Sequence, residues 1–304
     1  MPELPEVHTT ATGLQKVLPG LSIVDIWTDY KSPHYKGKNN IKDAEFFKKF
    51  RALCVGKKII SVNRRAKNVL IHLSNDHTIL IHMKMTGHIL YGTYGMKGKK
   101  WEAIHAGPLR DDPFNAYVHF VMTLSNGKHV AMSDTRKFAK VTILDTKTMH
   151  ESPDLRELGP EPVDKNFTFE IFKKCLEKKP KGKIKTVLMD QSVMAGIGNI
   201  YSDEILWECS VHPESKPEKI PEITLKKMYT ATRQLLSKGI DFGGDSMSDY
   251  RNVHGEKGRF QLEHQVYRRA KEKCKKRGCG GVIQRKIIGG RSAHFCTTHQ
   301  KLLQ

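Results

Sequence analysis

The chain has 304 residues, 38% of them apolar, and carries 52 Lys and Arg against 32 Asp and Glu, a formal net charge of +20 at pH 7. A chain of this length holds roughly two domains, and so large a basic excess points to a polyanion, nucleic acid first. No apolar run approaches the ~18 residues of a spanning helix and the start is too polar for a secretory signal, so we expect no membrane attachment and a cytoplasmic location; a monomer is expected as well.

The first residues are Met1-Pro2-Glu3-Leu4-Pro5-Glu6-Val7. Removal of Met1 would leave Pro2 with a secondary amine, which no internal proline can offer. An amine titrating near neutrality can attack an aldehyde-like sugar carbon and form a Schiff base. Glu3 and Glu6 place two carboxylates beside it for proton transfer. An ordinary unstructured start is the plain alternative. Residues 7–17 have helical periodicity, and 43–52 read as a second helix. Short runs rich in Ile, Val and Leu at 20–27, 57–64, 69–73, 78–83, 117–124, 129–133 and 139–144 read as strands. Ser125-Asn126-Gly127 is a hairpin turn, and so many short strands predict an antiparallel sandwich. The Gly- and Lys-rich stretch 91–113 reads as a surface loop.

Two strand ends, His82-Met83-Lys84-Met85-Thr86-Gly87 and Asp134-Thr135-Arg136-Lys137-Phe138, pair bulky apolar with basic residues. Met85 and Phe138 are either core or, beside Arg136, a wedge that fills a base stack after a base is extruded. Leu158-Gly159-Pro160-Glu161-Pro162 breaks regular structure, and 166–177, 184–189, 200–209 and 223–238 then read as helices. Gly196-Ile197-Gly198-Asn199 lies between two of them. Its backbone amides suit one phosphate; a plain helix corner would read the same.

Cys54, Cys175 and Cys209 stand alone as small packers. Cys274-x4-Cys279, a sixteen-residue spacer and Cys296-x2-His299 have the form of a closed, four-ligand structural zinc site; reduced cysteines without metal are the plain alternative. The spacer carries Arg285, Lys286 and Arg291 at the tip of a stapled hairpin, suited to phosphates; a solvated charged turn would look the same.

Together these segments resemble the formamidopyrimidine-DNA glycosylase / endonuclease VIII family over nearly the whole chain, and MPELPEV resembles the formamidopyrimidine (8-oxoguanine) branch. RRAK at 64–67 and LGPEP match family motifs; MKMTG, DTRKF and LMDQ…GIGNIYSDE resemble the LGMSG, DPRRF and helix–two-turn–helix motifs. The resemblance implies an α+β multidomain chain. Residues 1–150 would be a catalytic N-terminal antiparallel β-sandwich with flanking helices and 151–165 a linker. Residues 166–262 would be a helical helix–two-turn–helix DNA-binding domain with a lesion-covering loop, and 263–304 a zinc-stapled β-hairpin finger. It implies a bifunctional glycosylase and abasic-site lyase of base excision repair, acting on double-stranded DNA with oxidised purines or abasic sites by β,δ-elimination. Oxidised pyrimidines or non-catalytic binding of damaged DNA are the alternatives.

Residue by residue, the resemblance implies that Pro2 attacks C1′, Glu3 relays a proton, and Glu6 positions the N-terminus. Lys67 would bind phosphate and assist the first elimination, and Arg291 would grip the flanking phosphates. Lys185 and Asn199 would bind phosphate; Met85, Arg136 and Phe138 would fill the vacated stack. Zn2+ would be held by Cys274, Cys279, Cys296 and His299. The chain departs from the family pattern at Lys84, where glycine is usual, at Lys137, at His299, and in the length of 91–113.

Overall fold

A computed structural model describes residues 1–304. Helix α1 spans Leu4–Val17, with Pro5 in its first turn, where a missing N–H costs nothing. It starts three residues before the expected stripe because a capping box of Glu3 and Glu6, not an apolar residue, satisfies its first turn. Val7, Ala11 and Leu14 recur at helical spacing and are buried. Strand β1 (Ile23–Thr28) follows, then helix α2 (Ala44–Cys54), whose N-cap Asp43 accepts from the Phe46 N–H.

Strands β2 (Ile59–Arg65), β3 (Asn68–Leu73), β4 (His77–His82) and β5 (His88–Gly92) come next. They lead to β6 (Tyr94–Lys97), β7 (Lys100–Ala103), a short helix α3 (Pro108–Asp111), β8 (Val118–Leu124), β9 (His129–Ser133) and β10 (Lys140–Asp145). Two antiparallel four-stranded sheets form, in the orders β1-β8-β9-β5 and β10-β4-β3-β2. In register, Ile26 faces Met122 and Val69 faces Ile81. Phe120, Met122 and Met132 from one sheet share a core with Ile71, Ile81 and Val141 from the other and with Val7 and Leu14 of α1. The expected sandwich is present.

The stretch 91–113 is not the surface loop expected. It holds the β6–β7 hairpin and α3, and Trp101 and Leu109 pack with Tyr94 on Leu90, Val121 and Ala131. Trp101 lies 6.3 Å from Trp27 and 5.2 Å from the His129 ring, centroid to centroid. Isolated aromatics among Gly and Lys give no period to read, yet aromatic pairs of this kind add about 0.5–1.5 kcal/mol each beyond their buried area. Packing on the outer sheet face, rather than local pattern, orders the segment.

Two compact units result: 1–156 with 242–259, and 157–241 with 260–304. The second contains α4 (Phe169–Glu177), α5 (Ile184–Met189), α6 (Asn199–Glu208), α7 (Glu222–Asp241) and the hairpin β11 (Ile283–Ile288) and β12 (Arg291–Cys296). The Thr168 side chain caps α4 by accepting from the Ile171 N–H. Helix α6 is buried from Tyr201 through Trp207, as a helix enclosed on all sides must be. Tyr201 stacks on Phe260 at 4.9 Å between ring centroids.

Candidate active site and nucleic-acid interface

In the first unit the chemistry gathers at the start of α1. Pro2, Glu3, Glu6 and Lys67 are all buried. One Glu6 carboxylate oxygen, Oε2, accepts the Glu3 N–H at 2.7 Å, and the other, Oε1, accepts the Asp245 N–H at 2.7 Å. That second bond needs Gly244 at φ +86°: a Cβ there would stand 2.8 Å from Glu6 Cγ, and only glycine takes this backbone without strain. Burial, with the Glu3 charge second, raises the Glu6 carboxyl from its usual 4.5 to about 7. A group so placed can hold or release a proton at neutral pH.

The Met1 ammonium is lowered below its usual value by burial, while the charges of Glu3, Glu6 and Asp249 raise it and that of Lys67 lowers it. These four side chains are therefore near enough to act on the head of the chain. Lys67 is delivered by the tight β2–β3 connection, where Ala66 takes a left-handed φ of 52°. The Arg64 guanidinium donates to the Ala66 carbonyl at 3.0 Å and braces that turn.

The raised Glu6 carboxyl gives a pH prediction. Between about 4.5 and 7 the native chain binds more protons than the unfolded chain, so the neutral carboxyl's contribution is complete below 4.5 and is lost as pH rises through 7. Glu6→Gln removes this dependence. Its melting temperature relative to the parent should climb between pH 5 and pH 8, by up to about 1.4 kcal/mol of relative stability per pH unit. A flat difference across that range would refute the raised value.

The two expected wedge segments are brought together by one buried carboxylate. Asp134 Oδ1 accepts from the Thr86 hydroxyl and the Arg136 N–H, while Oδ2 accepts from Tyr30 Oη at 3.0 Å and the Ala139 N–H at 2.8 Å. Thr86, the neighbour of Met85 in sequence, is thus tied to Arg136. The Arg136 guanidinium lies 4.4 Å from the centre of the exposed Phe138 ring, a stacked cationic and apolar pair open to a ligand. Lys84 sits at φ 54°, the left-handed region, which is why glycine suits this position. A lysine there costs roughly 1–2 kcal/mol.

In the second unit, Asn199 opens α6 after Gly198, and its Oδ1 is buried without a hydrogen-bond partner. Turning the amide would present Nδ2 at that point, a donor for a phosphate oxygen. Gln191 cross-braces the glycine turn: its Oε1 accepts the Gly196 N–H at 2.9 Å and its Nε2 donates to the Ile197 carbonyl at 2.9 Å. Lys185 does not face outward as a phosphate ligand would. It is fully buried, with Nζ 2.5 Å from Asp203 Oδ1 and 3.2 Å from Ser202 Oγ. Desolvating the amine is tolerated only because Asp203 pairs it, so Lys185 supports the turn from within.

Asp203 and Glu204 were not legible as functional residues. Asp203 Oδ2 accepts the His294 N–H at 2.9 Å, and Glu204 accepts the N–H groups of Gln265, Val266 and Tyr267. Both acids of α6 therefore fix the chain that follows. Their one signal is two adjacent carboxylates in the middle of a helix that also carries Tyr201, Ile205, Leu206 and Trp207.

The hairpin turns through Gly289 and Gly290, both at positive φ, the two-residue geometry that matches strand twist. Arg291 follows at the exposed tip. Cys274, Cys279, Cys296 and His299 place all four ligand atoms within 4.8 Å of one another. Cys279 Sγ lies 3.7 Å from both Cys296 Sγ and His299 Nδ1, near the ~3.7 Å edge of a tetrahedron with Zn–S bonds of about 2.3 Å. His299 Nε2 donates to the Trp207 carbonyl at 3.2 Å, which leaves Nδ1 free for a metal. The donor set fits a metal ion. Trp207 Nε1 also donates to Cys274 Sγ at 3.3 Å.

Comparison with known proteins agrees with this geometry. Residues 1–141 match the model of the formamidopyrimidine-DNA glycosylase N-terminal domain, and 158–251 that of the formamidopyrimidine-DNA glycosylase H2TH domain. A formamidopyrimidine-DNA glycosylase of Pelotomaculum thermopropionicum is 35% identical over 99% of this chain and 100% of its own. The Lactococcus lactis Fpg, solved with DNA containing an abasic site, is 29% identical, with a TM-score of 0.81 over 98% of this chain and 99% of its own. The wild-type Lactococcus lactis Fpg (MutM) with N7-benzyl-Fapy-dG DNA is 30% identical, with a TM-score of 0.81 over 99% of this chain and 100% of its own. Two family models covering most of the chain, and relatives matched end to end, leave one conclusion: this chain belongs to the formamidopyrimidine-DNA glycosylase family.

Proposed function

We propose that this DNA glycosylase of base excision repair excises oxidised purines and then cleaves the strand, with Pro2 as nucleophile once Met1 is removed. The observation that carries the reading is the buried amine site itself. The head of α1 is buried, and the charges of Glu3, Glu6, Lys67 and Asp249 all act on an amine there, which gives it nearby proton carriers and a cation suited to phosphate.

The Pro2 nitrogen bonds to C1′ as the C1′–base bond breaks, and the base leaves with a proton. Glu3 relays a proton to the sugar as its ring opens, and the C1′–nitrogen bond becomes a cationic Schiff base. That cation acidifies C2′, whose proton loss expels the 3′ phosphate; a second elimination expels the 5′ phosphate. A one-nucleotide gap with phosphates on both ends remains. Lys67 holds the first leaving phosphate, and Arg291 holds those flanking the lesion. Asn199 binds one phosphate at the turn before α6. Met85, Arg136 and Phe138 fill the stack the base has left, which lowers the cost of extrusion.

Zn2+ is the metal we assign to Cys274, Cys279, Cys296 and His299. With four protein ligands it has no open position, and its role is to fold the finger. Functionally we divide the chain into a catalytic part (1–150), a connector (151–165), a DNA-binding part (166–262) and the finger (263–304). No helix is long and apolar enough to cross a membrane, and we place the enzyme with DNA in the cytoplasm.

Borohydride trapping of the Met-processed protein tests the reading. We expect a covalent adduct on a duplex with one 8-oxoguanine opposite cytosine, and none on undamaged duplex. An adduct with an abasic site alone would keep the lyase and move the base substrate to oxidised pyrimidines. No adduct with either would remove the chemistry.

A further inference from the structure

The loop 242–259 belongs to the first unit and is tied down along most of its length. Its first arm is held at α1. The Asp245 N–H bonds Glu6, Tyr250 Oη donates to the Glu6 carbonyl at 2.9 Å, and Ser246 Oγ bonds both the Tyr250 carbonyl and the Gly258 N–H at 2.8 Å. The last arm is held by β5 and by the segment that follows it. The Tyr91 N–H donates to the Val253 carbonyl at 2.7 Å, and Asn115 Nδ2 donates to the Gly255 carbonyl at 3.1 Å. Between the arms, Met247 and Ser248 are exposed, Met247 by 43%. Asp249 is close enough for its charge to act on the chain's amino group.

Arg251 bridges the tip and its support. It is 2% exposed, and Nη1 donates to the carbonyls of Ser248 at 2.8 Å and Tyr250 at 2.7 Å. Nε donates to Asp112 Oδ2 at 2.7 Å, and the guanidinium lies 4.9 Å from the Phe114 ring centre. Asp112 ends the long segment beginning at residue 91, which is otherwise remote in sequence from the loop. A buried guanidinium commits most of its donors here to tip carbonyls and one carboxylate, as a bracket would.

A base bonded to C1′ must lie beside any amine that attacks C1′, and the tip stands between two residues, Asp245 and Tyr250, that are bonded to Glu6 at the start of α1. We propose that Arg251, anchored by Asp112, is a positioning residue that sets the tip Met247–Asp249 against the extruded base and so governs which bases are excised. The inference rests on the function proposed above. It gives the long segment after β5 a purpose: to anchor the specificity loop. Because the Glu6 arm has its own bonds, loosening the tip leaves the amine, Glu3 and Glu6 in place.

The test uses zinc-loaded, Met-processed full-length protein and single-turnover rates on two duplexes of one sequence, bearing either the lesion base or a preformed abasic site. Arg251→Met alone would leave Asp112 unpaired, so Asp112→Asn/Arg251→Met removes both partners together. Base excision in the double variant should fall by about tenfold to a hundredfold, the worth of lost charge-assisted bonds. Abasic-strand cleavage and affinity for abasic DNA should stay within about threefold, inside the scatter of such small effects. Arg251→Lys, which keeps the ion pair but cannot span both carbonyls, should fall between. Unchanged base excision would overturn the proposal, as would a parallel fall in both reactions. Wild-type protein inactive on both duplexes would instead sink the functional reading itself.

Discussion

Alanine in place of Pro2 is expected to lower borohydride trapping on lesion duplex by on the order of 10²-fold or more, the scale of removing a group that acts directly on the reacting atoms. Processing would leave a primary amine at the same place, so the variant tests the secondary amine and not merely a free N-terminus. A secondary amine condenses straight to a cationic imine with no proton left on nitrogen. A primary amine gives an imine that must stay protonated to act as an electron sink, in a pocket where burial already disfavours ammonium at the head of the chain. Binding should be nearly unchanged, because phosphates carry most of the affinity and Pro2 offers them nothing. Trapping equal to the parent's would take Pro2 out of the mechanism, whatever the binding showed.

How much of this was readable in the sequence depends on the range of the interactions. The sandwich strands and four C-terminal helices were legible because their apolar periods are local, and the cysteine spacing was legible because a metal site needs fixed donor types. Pro2, Glu3 and Glu6 lie within five residues of one another, so their meeting required no knowledge of the fold. Lys67 joins them through the β2–β3 turn, and only the family motif pointed to it. What escaped is long-range and polar. Arg251 and Asp112 are separated by more of the chain than either unit's local pattern spans, and each alone reads as a solvated charge. The resemblance implies a phosphate-binding role for Lys185; its partner Asp203 becomes visible only when α5 and α6 pack. The hairpin at 94–103 escaped because Trp101 and Tyr94 are ordered by the sheet beneath them, not by neighbours in sequence.

Loss of the metal should have the second large effect, and Cys296→Ser is the sharpest way to cause it. The finger buries Ile288, Ala293 and Phe295 in one small cluster and Val266 and Ile283 with its cysteines against Trp207 in another, too little to offset the ordering entropy of a free-standing hairpin. Structural zinc is worth about 10–16 kcal/mol at pH 7 in comparable finger peptides, so a site with one ligand removed should release the hairpin while the sandwich stays folded. Three readouts should move together. Bound zinc should fall from one per chain; Trp207, which donates to Cys274 Sγ and meets the His299 ring edge-on at 5.5 Å, should change its fluorescence; and DNA affinity should drop on every sequence tested. The slope of log affinity against log salt should shrink by about 0.9 for each phosphate that Arg291 and its neighbours no longer neutralise. Trapping on a short abasic oligonucleotide at saturating protein should persist, since no metal takes part in the Schiff base. A metal-free Cys296→Ser protein with the parent's affinity and salt slope would show that the four ligands do not hold the finger, and that the finger's grip on phosphate owes nothing to zinc.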